Sequence, residues 1–238
     1  MTTTTLKSLI LLFAFSILFS VFSCGKDDES TEPFVSPGDP KGHSYLALGD
    51  SYTIGQGVSQ LESWPYQLSD SLLEYALSID TLTVIAQTGW TTANLLDNIE
   101  SQQPQKHDLV SLLIGVNDQF QSRPFEDFQT GFDELLQIAI DRASGKSNVM
   151  VISIPDYGVT PFGSSNSATI AMELDEYNAY MEGECNALDI PFINITTISR
   201  ELEDDEQALA SDNLHPSGYQ YSKWVEIILP VALDLLED

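Results

Sequence analysis

Four short polar segments of the chain carry residues that could together perform nucleophilic chemistry. Ser51 lies in "GDSY", Gly89 in "TGW", Asn117 in "GVND", and Asp212 with His215 in "DNLH". A serine of ordinary acidity attacks a carbonyl only when a base accepts its proton, and a neutral imidazole is the usual base near pH 7. Asp212 precedes His215 on the same loop, where its carboxylate can hold the second ring nitrogen. These residue types predict acyl transfer through a serine.

Few histidines could act as the base for Ser51, because the chain has only three. His43 falls in a segment predicted to be a flexible tether. His107 precedes the third predicted strand, at the end of the sheet away from the candidate site. Only His215 lies on a loop that could reach Ser51.

Each polar segment also has a purely structural interpretation when it is taken alone. Gly-Asp-Ser is a common turn, so Ser51 could be an ordinary turn residue. Gly89 could serve only a backbone conformation, and Asn117 could be a turn residue or a helix cap. Asp212 could cap the last helix, with His215 half-exposed beside it. The functional interpretation therefore depends on the combination.

Apolar runs of strand length alternate with longer helical patterns beyond residue 44. The predicted strands are Tyr45–Leu48, Leu82–Ala86, Leu109–Ile114, Val149–Ile154 and Phe192–Ile195. The predicted helices are Pro65–Leu77, Ala93–Gln102, Phe125–Ala143, Ile170–Leu188 and Gly218–Leu236. Pro230 lies inside the last of these and is expected to kink or shorten it.

Apolar strands separated by helices imply right-handed crossovers and a parallel sheet that is covered on both faces. We therefore predict one α/β domain, a three-layer α/β/α sandwich with a five-stranded parallel sheet. Ligands of open parallel sheets bind beyond the carboxyl ends of the strands. The polar segments follow four of the five strands at these ends, which predicts a site there.

In their order along the chain, these segments resemble the four blocks of the SGNH or GDSL hydrolases, over nearly all of Ser44 to Asp238. The resemblance implies the flavodoxin-like fold of that family and a carboxylic ester hydrolase without a cofactor. It assigns Ser51 as the nucleophile of a Ser-His-Asp triad, completed by His215 and Asp212. Water would then release the acid from an acyl-enzyme intermediate.

The same resemblance implies an oxyanion hole formed by the backbone N–H groups of Ser51 and Gly89 and the side-chain amide of Asn117. Tyr52 occupies a position where many members have leucine. Tyr52 and Trp90, together with the loop from Pro155 to Phe162, are candidates for the substrate pocket. Ordinary packing is the alternative for each of these aromatic residues.

The N-terminus predicts export. Residues 1–23 have the short apolar run of a signal peptide, and "VFSC" resembles the lipobox of bacterial lipoproteins, which predicts lipidation of Cys24. An ordinary secretory signal with an incidental Cys24 thiol is the alternative. Residues 24–43 are predicted to be a flexible tether and residues 44–238 the hydrolase domain. "CGKDDE" resembles the export tag of surface lipoproteins, so a surface-exposed lipoprotein of the cell envelope is expected.

The formal net charge of −27 excludes several classes of partner. From Ser44 onward there are 31 acidic and 6 basic residues, so the acidity belongs to the domain. Such a surface repels nucleic acid and offers anionic headgroups no basic patch, which leaves the lipid anchor as the only membrane contact. The acidic run from Asp204 to Glu206 lacks a histidine and is interpreted as a solvated face, not a metal site. Cys185, in a helical pattern, is expected in the core.

The sequence leaves the substrate open. The leading hypothesis is an esterase acting on small acyl esters, either a carbohydrate O-acetylesterase or a lysophospholipase or short-chain esterase. A catalytically silent surface binding lipoprotein on the same fold is the alternative, and the presence of every candidate catalytic residue argues against it. A nucleotide-binding module would fit the fold pattern but lacks a glycine-rich phosphate loop after the first strand.

Overall fold

The computed structural model describes residues 41–145 and 148–237. Within them lies a five-stranded parallel sheet in the order β2-β1-β3-β4-β5, which confirms the predicted sheet. The strands are β1 (Lys41–Gly49), β2 (Leu77–Ala86), β3 (Leu109–Leu113), β4 (Val149–Ile152) and β5 (Phe192–Ile193). The residues of β3 and β4 are all buried, as expected of central strands covered on both faces.

Helices cover both faces of this sheet. They are α1 (Ser51–Ile54), α2 (Trp64–Leu73), α3 (Thr92–Gln102), α4 (Val116–Phe120), α5 (Phe125–Arg142), α6 (Ser167–Ala187), α7 (Thr196–Glu201) and α8 (Gly218–Glu237). Helices α2 and α8 pack together on one face, and α3, α5 and α6 pack in a row on the other. The predicted three-layer sandwich is therefore confirmed.

The strand order explains where a ligand can bind. The connection from β1 to β2 runs toward one edge of the sheet, whereas the connections that follow β2 run toward the other edge. The direction of the crossovers therefore reverses between β1 and β3, and in open α/β sheets the crevice at such a switch point is the usual binding site. Ser51 follows β1 and Asn117 follows β3, so both lie at this crevice.

Two predicted boundaries differ from the structure at the N-terminal side of the sheet. β1 begins at Lys41, so the last residues of the predicted tether, including His43, belong to the strand, and His43 is buried. The helix predicted to reach Leu77 ends at Leu73, because Ala76 adopts a left-handed conformation with φ of +61° and Leu77 begins β2. The predicted signal peptide, Cys24 and the rest of the tether lie outside the described residues.

The structure also shows where Pro230, Cys185 and the acidic run from Asp204 to Glu206 lie. Helix α8 runs through Pro230 and reaches Glu237, so the proline does not shorten it. Cys185 is fully buried in α6, as expected. Asp204 and Glu206 are exposed, and no metal-binding cluster of His, Cys, Asp or Glu occurs in the part of the chain that the structure describes. Across residues 41–145 and 148–237, the helices are too short or too polar to cross a membrane.

Candidate active site

Ser51 lies at the junction of β1 and α1. The preceding Asp50 caps the helix, because its Oδ1 accepts a hydrogen bond from the backbone N–H of Tyr52 at 3.0 Å. Ser51 is the first residue of α1, so its own backbone N–H lies outside the hydrogen-bond ladder of the helix. The residue is only 4% exposed, and what remains accessible borders a cavity. The local fold thus places the hydroxyl and the unbonded backbone N–H of Ser51 together at the cavity.

The carboxyl of Asp50 is fully buried beside Ser51. Burial raises the pKa of this carboxyl to about 8, the N–H of Tyr52 opposes that rise, and the charge of Asp118 adds to it. The second oxygen, Oδ2, is buried without a hydrogen-bond partner among the described residues. Asp50 is therefore expected to be largely protonated at neutral pH.

Asp212 and His215 form a closely bonded pair on the loop before α8. Asp212 Oδ2 lies 2.7 Å from His215 Nδ1, and Asp212 Oδ1 accepts the backbone N–H groups of Leu214 and His215, each at 3.0 Å. Burial raises the pKa of the Asp212 carboxyl, but the hydrogen bonds from His215 and Leu214 outweigh it, so the pKa lies below its ordinary value. An ionised Asp212 fixes the tautomer that carries a proton on Nδ1 and leaves Nε2 as the basic nitrogen.

The ring of Tyr52 supports the histidine from the side. Its centroid lies 5.9 Å from that of His215 in an edge-to-face arrangement and 6.2 Å from that of Trp224 in α8. Tyr52 is 3% exposed, so the residue that replaces the usual leucine holds the imidazole by packing. Tyr52 also lines the cavity, and its role as a substrate-pocket residue stays a prediction.

Helix α4 positions Asn117. Gly115 precedes this helix with φ of +120°, and a Cβ there would lie 2.6 Å from Phe128, so only glycine allows the close turn out of β3. Asn117 Nδ2 donates to the carbonyl of Trp90 at 2.9 Å. Because an amide nitrogen carries two hydrogens, this bond orients the group and leaves the second hydrogen for another acceptor.

The loop that contains Gly89 is held by the same helix and its neighbours. Gln121 Nε2 donates to the carbonyl of Gly89 at 3.2 Å, and Asp118 accepts the N–H and the hydroxyl of Thr92 at 3.0 and 2.8 Å. Gly89 has φ of +84°, and a Cβ built on it would meet no atom within 4 Å. Glycine is therefore required here for its backbone conformation, while the space around it stays open.

A cavity of about 240 Å³ joins these segments. Of the residues predicted for the site, those lining this cavity are Ser51, Tyr52, Gly89, Asn117 and His215. Asp212 lies behind the histidine and contacts it directly. Trp90, predicted for the pocket, is not among the lining residues; its ring is half-buried and its carbonyl orients Asn117. Within the described residues no hydrogen bond joins Ser51 to His215. Catalytic hydrogen bonds are often long or poorly aligned until substrate is bound.

Part of the cavity wall is formed by residues that the sequence did not predict for the site. Phe120, Tyr157 and Phe162 line it, and only the loop that carries Tyr157 and Phe162 was predicted. Phe120 belongs to the same short helix as Asn117, and this proximity in the sequence is the feature that could have indicated its place at the cavity. The sequence also gave no sign that Arg200 bonds the buried Asp156 at 2.8 Å and so fixes the loop that carries Tyr157.

Comparisons with known proteins agree with this architecture. A lipase from a goat rumen metagenome superposes with a TM-score of 0.64 at 19% identity, over 79% of this chain and 96% of that one. An acetyl-xylooligosaccharide esterase from Geobacillus gives a TM-score of 0.61 at 16% identity, over 82% of this chain and 94% of that one. At these identities the likeness concerns the fold.

Sequence comparison identifies the class. An arylesterase from Vibrio mimicus is 27% identical over 114 residues, and the match covers 48% of this chain and 56% of that protein. The matched region thus spans little more than half the length of this curated relative. Residues 47–222 match the GDSL-like lipase/acylhydrolase family. The chain therefore belongs to that family.

Proposed function

We propose that this protein is a serine esterase in which Ser51 is the nucleophile, His215 the general base and Asp212 the residue that orients the base. The proposal rests on one observation. The imidazole of His215, whose Nδ1 lies 2.7 Å from Asp212 Oδ2, borders the same cavity as Ser51. Membership in a family of ester hydrolases supports the reaction type.

In the proposed cycle, His215 Nε2 accepts the hydroxyl proton as Ser51 Oγ attacks the ester carbonyl. The tetrahedral intermediate collapses when the C–O bond to the alcohol breaks and the imidazolium returns its proton to the leaving oxygen. A water molecule, deprotonated by the same imidazole, then hydrolyses the acyl-enzyme and releases the acid. Asp212 stabilises the imidazolium in both halves of the cycle, because its lowered pKa keeps it ionised.

The negative charge that develops on the carbonyl oxygen needs donors that are already in place. We assign this role to the backbone N–H of Ser51, the backbone N–H of Gly89 and the second amide hydrogen of Asn117. All three residues line the cavity. The hydrogen bonds from Asn117 to Trp90 O and from Gln121 to Gly89 O orient the Asn117 amide and the Gly89 loop before substrate binds. A donor of this kind is worth about 3–4 kcal/mol in the transition state.

The size of the cavity favours small esters. A volume of about 240 Å³ lies below the roughly 300–1,000 Å³ that is typical of small-molecule sites, and it accommodates an ester with a short acyl chain or one ring. The structural relatives include both a lipase and an acetyl-xylooligosaccharide esterase. We therefore propose short-chain acyl esters as substrates, with acetylated sugars as one subclass to test. The long acyl chain of a lysophospholipid would exceed this volume, so we expect that second subclass to be a poor substrate.

Hydrolysis of p-nitrophenyl esters of increasing chain length tests this proposal. We expect turnover of the acetyl and butyryl esters by the purified protein and loss of turnover in Ser51→Ala. Ser101→Ala, at an exposed position of α3, is the matched control and should retain full activity. The proposal is wrong if Ser51→Ala and the control are equally active, or if the folded wild-type protein hydrolyses none of the esters. The chain-length optimum separates acetylesterase from lipase-like specificity.

We also propose that the enzyme is exported and anchored in the cell envelope through lipidated Cys24. The support is the sequence pattern at residues 1–24. Metabolic labelling with radioactive palmitate in a bacterial host should mark the wild-type chain and not Cys24→Ser. Labelling that persists in Cys24→Ser, or is absent from both, would contradict the anchor.

A further inference from the structure

Three aromatic side chains form one continuous surface on the cavity wall. The ring centroids of Phe120 and Tyr157 are 6.1 Å apart, those of Phe120 and Phe162 are 5.9 Å apart, and those of Tyr157 and Phe162 are 6.5 Å apart. All three residues line the cavity that Ser51 borders. We call this group the ring surface.

Two of the rings are unusually exposed for phenylalanine. Phe120 is 53% exposed and Phe162 is 54% exposed, whereas Tyr157 below them is 7% exposed. Exposed apolar area is costly in water, and when it is grouped beside a cavity it marks a binding surface. The exposed ring faces therefore offer contact area that the protein itself does not cover.

The ring surface is held rigidly from behind. The hydroxyl of Tyr157 donates to Gln119 Oε1 at 2.8 Å, and Gln119 Nε2 donates to Glu173 in α6 at 2.6 Å. Asp156 Oδ1 accepts the N–H of Gly158 at 2.8 Å. A preorganised surface of this kind loses little conformational entropy when a ligand binds.

The chemistry of the ring surface favours a particular ligand. Aromatic rings attract another ring through offset or edge-to-face contacts beyond what apolar area alone provides. A sugar ring would bring several hydroxyls that need hydrogen-bond partners. The ring surface has one hydroxyl, on Tyr157, and it already donates its hydrogen to Gln119. A long aliphatic chain would exceed the cavity volume of about 240 Å³.

We propose that the ring surface of Phe120, Tyr157 and Phe162 binds an aromatic ring of the substrate, and that it thereby selects esters with a ring close to the ester bond. This inference rests on the proposed esterase function, because it specifies which esters the same site prefers. Ser51 and His215 carry the reaction, and the ring surface sets specificity.

Matched substrates separate a ring preference from simple hydrophobicity. Benzyl, cyclohexylmethyl and heptyl acetate have the same number of carbon atoms in the alcohol and similar leaving groups. Methyl phenylacetate and methyl cyclohexylacetate form the equivalent pair on the acyl side. We expect kcat/KM of the wild-type enzyme to favour the aromatic member of at least one pair. The double variant Phe120→Leu with Phe162→Leu should reduce that preference about 5- to 100-fold, because leucine keeps apolar area and removes both rings.

Tyr75→Leu is the matched control. Tyr75 is 56% exposed and lies between α2 and β2, at the end of the sheet opposite the cavity. Because this variant also replaces an exposed aromatic residue by leucine, it should leave the substrate preference unchanged. An equal loss of preference in Tyr75→Leu would overturn the assignment to the ring surface.

A binding assay makes the test independent of turnover. Ser51→Ala protein is titrated with benzyl and cyclohexylmethyl acetate in saturation-transfer NMR, and the benzyl ester should bind more tightly. If no ester is hydrolysed but this selectivity is observed and depends on both phenylalanines, the esterase proposal fails and the ring surface stands. If esters are hydrolysed and bound without aromatic preference, or if heptyl acetate or an acetylated sugar is preferred, the ring-surface proposal is wrong.

Discussion

Asp50 provides a quantitative test of the structure around Ser51. Its carboxyl is fully buried, and burial raises its pKa from an ordinary value of 3.8 to about 8. Between these values the folded chain keeps the proton and the unfolded chain has lost it. Unfolding then releases a proton, so the free energy of unfolding must fall as pH rises from about 4 toward 8. One pKa unit corresponds to about 1.4 kcal/mol, so the loss of stability from this group between pH 5 and pH 7 is on the order of 3 kcal/mol.

The substitution Asp50→Asn removes this contribution and keeps the oxygen that caps α1. Urea unfolding of both proteins at pH 5, 6 and 7 gives the free energies of unfolding. The variant's stability relative to wild type should rise by about 1.4 kcal/mol for each pH unit, because the amide does not ionise. Other titrating groups act on both proteins and cancel in the difference.

A stability difference that stays constant from pH 5 to pH 7 would mean that Asp50 is ionised in the folded protein and that its pKa is not raised. The variant Asp97→Asn, at an exposed position of α3, controls for the removal of one negative charge from a strongly acidic chain. Its stability relative to wild type should change much less over the same range.

Three further substitutions test the proposed roles of other residues. Asp212→Asn should lower kcat about 10²- to 10⁴-fold with little change in KM, because the imidazole of His215 loses its orienting carboxylate; kcat within a few-fold of wild type would contradict that role. Asn117→Ala should lower kcat about 10²- to 10³-fold through loss of an oxyanion donor, and a change confined to KM would assign it to ground-state binding instead. Arg200→Leu should lower the free energy of unfolding by about 2–3 kcal/mol in urea, since it leaves the buried carboxylate of Asp156 unpaired, and an unchanged midpoint would refute this.

The fold could be predicted from the sequence because its strands are short apolar runs between amphipathic helices. β3 and β4 are wholly buried, and their apolar residues mark them clearly. The edge strand β2 begins five residues earlier than the sequence pattern predicts. Its first half has the polar residues Ser78 and Asp80, which an edge strand can expose to water. His43 is buried in β1, whereas the sequence predicts it in the tether because a polar segment precedes it.

The candidate site could be predicted to the extent that its residues stand next to strand ends in the sequence. Ser51, Gly89 and Asn117 each follow a strand, and the structure brings them to one cavity. The ion pair of Asp156 with Arg200 and the meeting of Phe120 with Phe162 join segments far apart in the chain. Such contacts depend on the packing of α4, α6 and α7, which no local pattern encodes.

Covalent trapping is the most direct test of the central claim that Ser51 is the nucleophile. The purified protein is treated with diethyl p-nitrophenyl phosphate, and its peptides are mapped by mass spectrometry. We expect one diethylphosphoryl group on Ser51, formed with release of one equivalent of p-nitrophenolate, and none on Ser51→Ala protein. Modification of a different residue at the same rate in both proteins, or no modification of the folded wild-type enzyme, would contradict it.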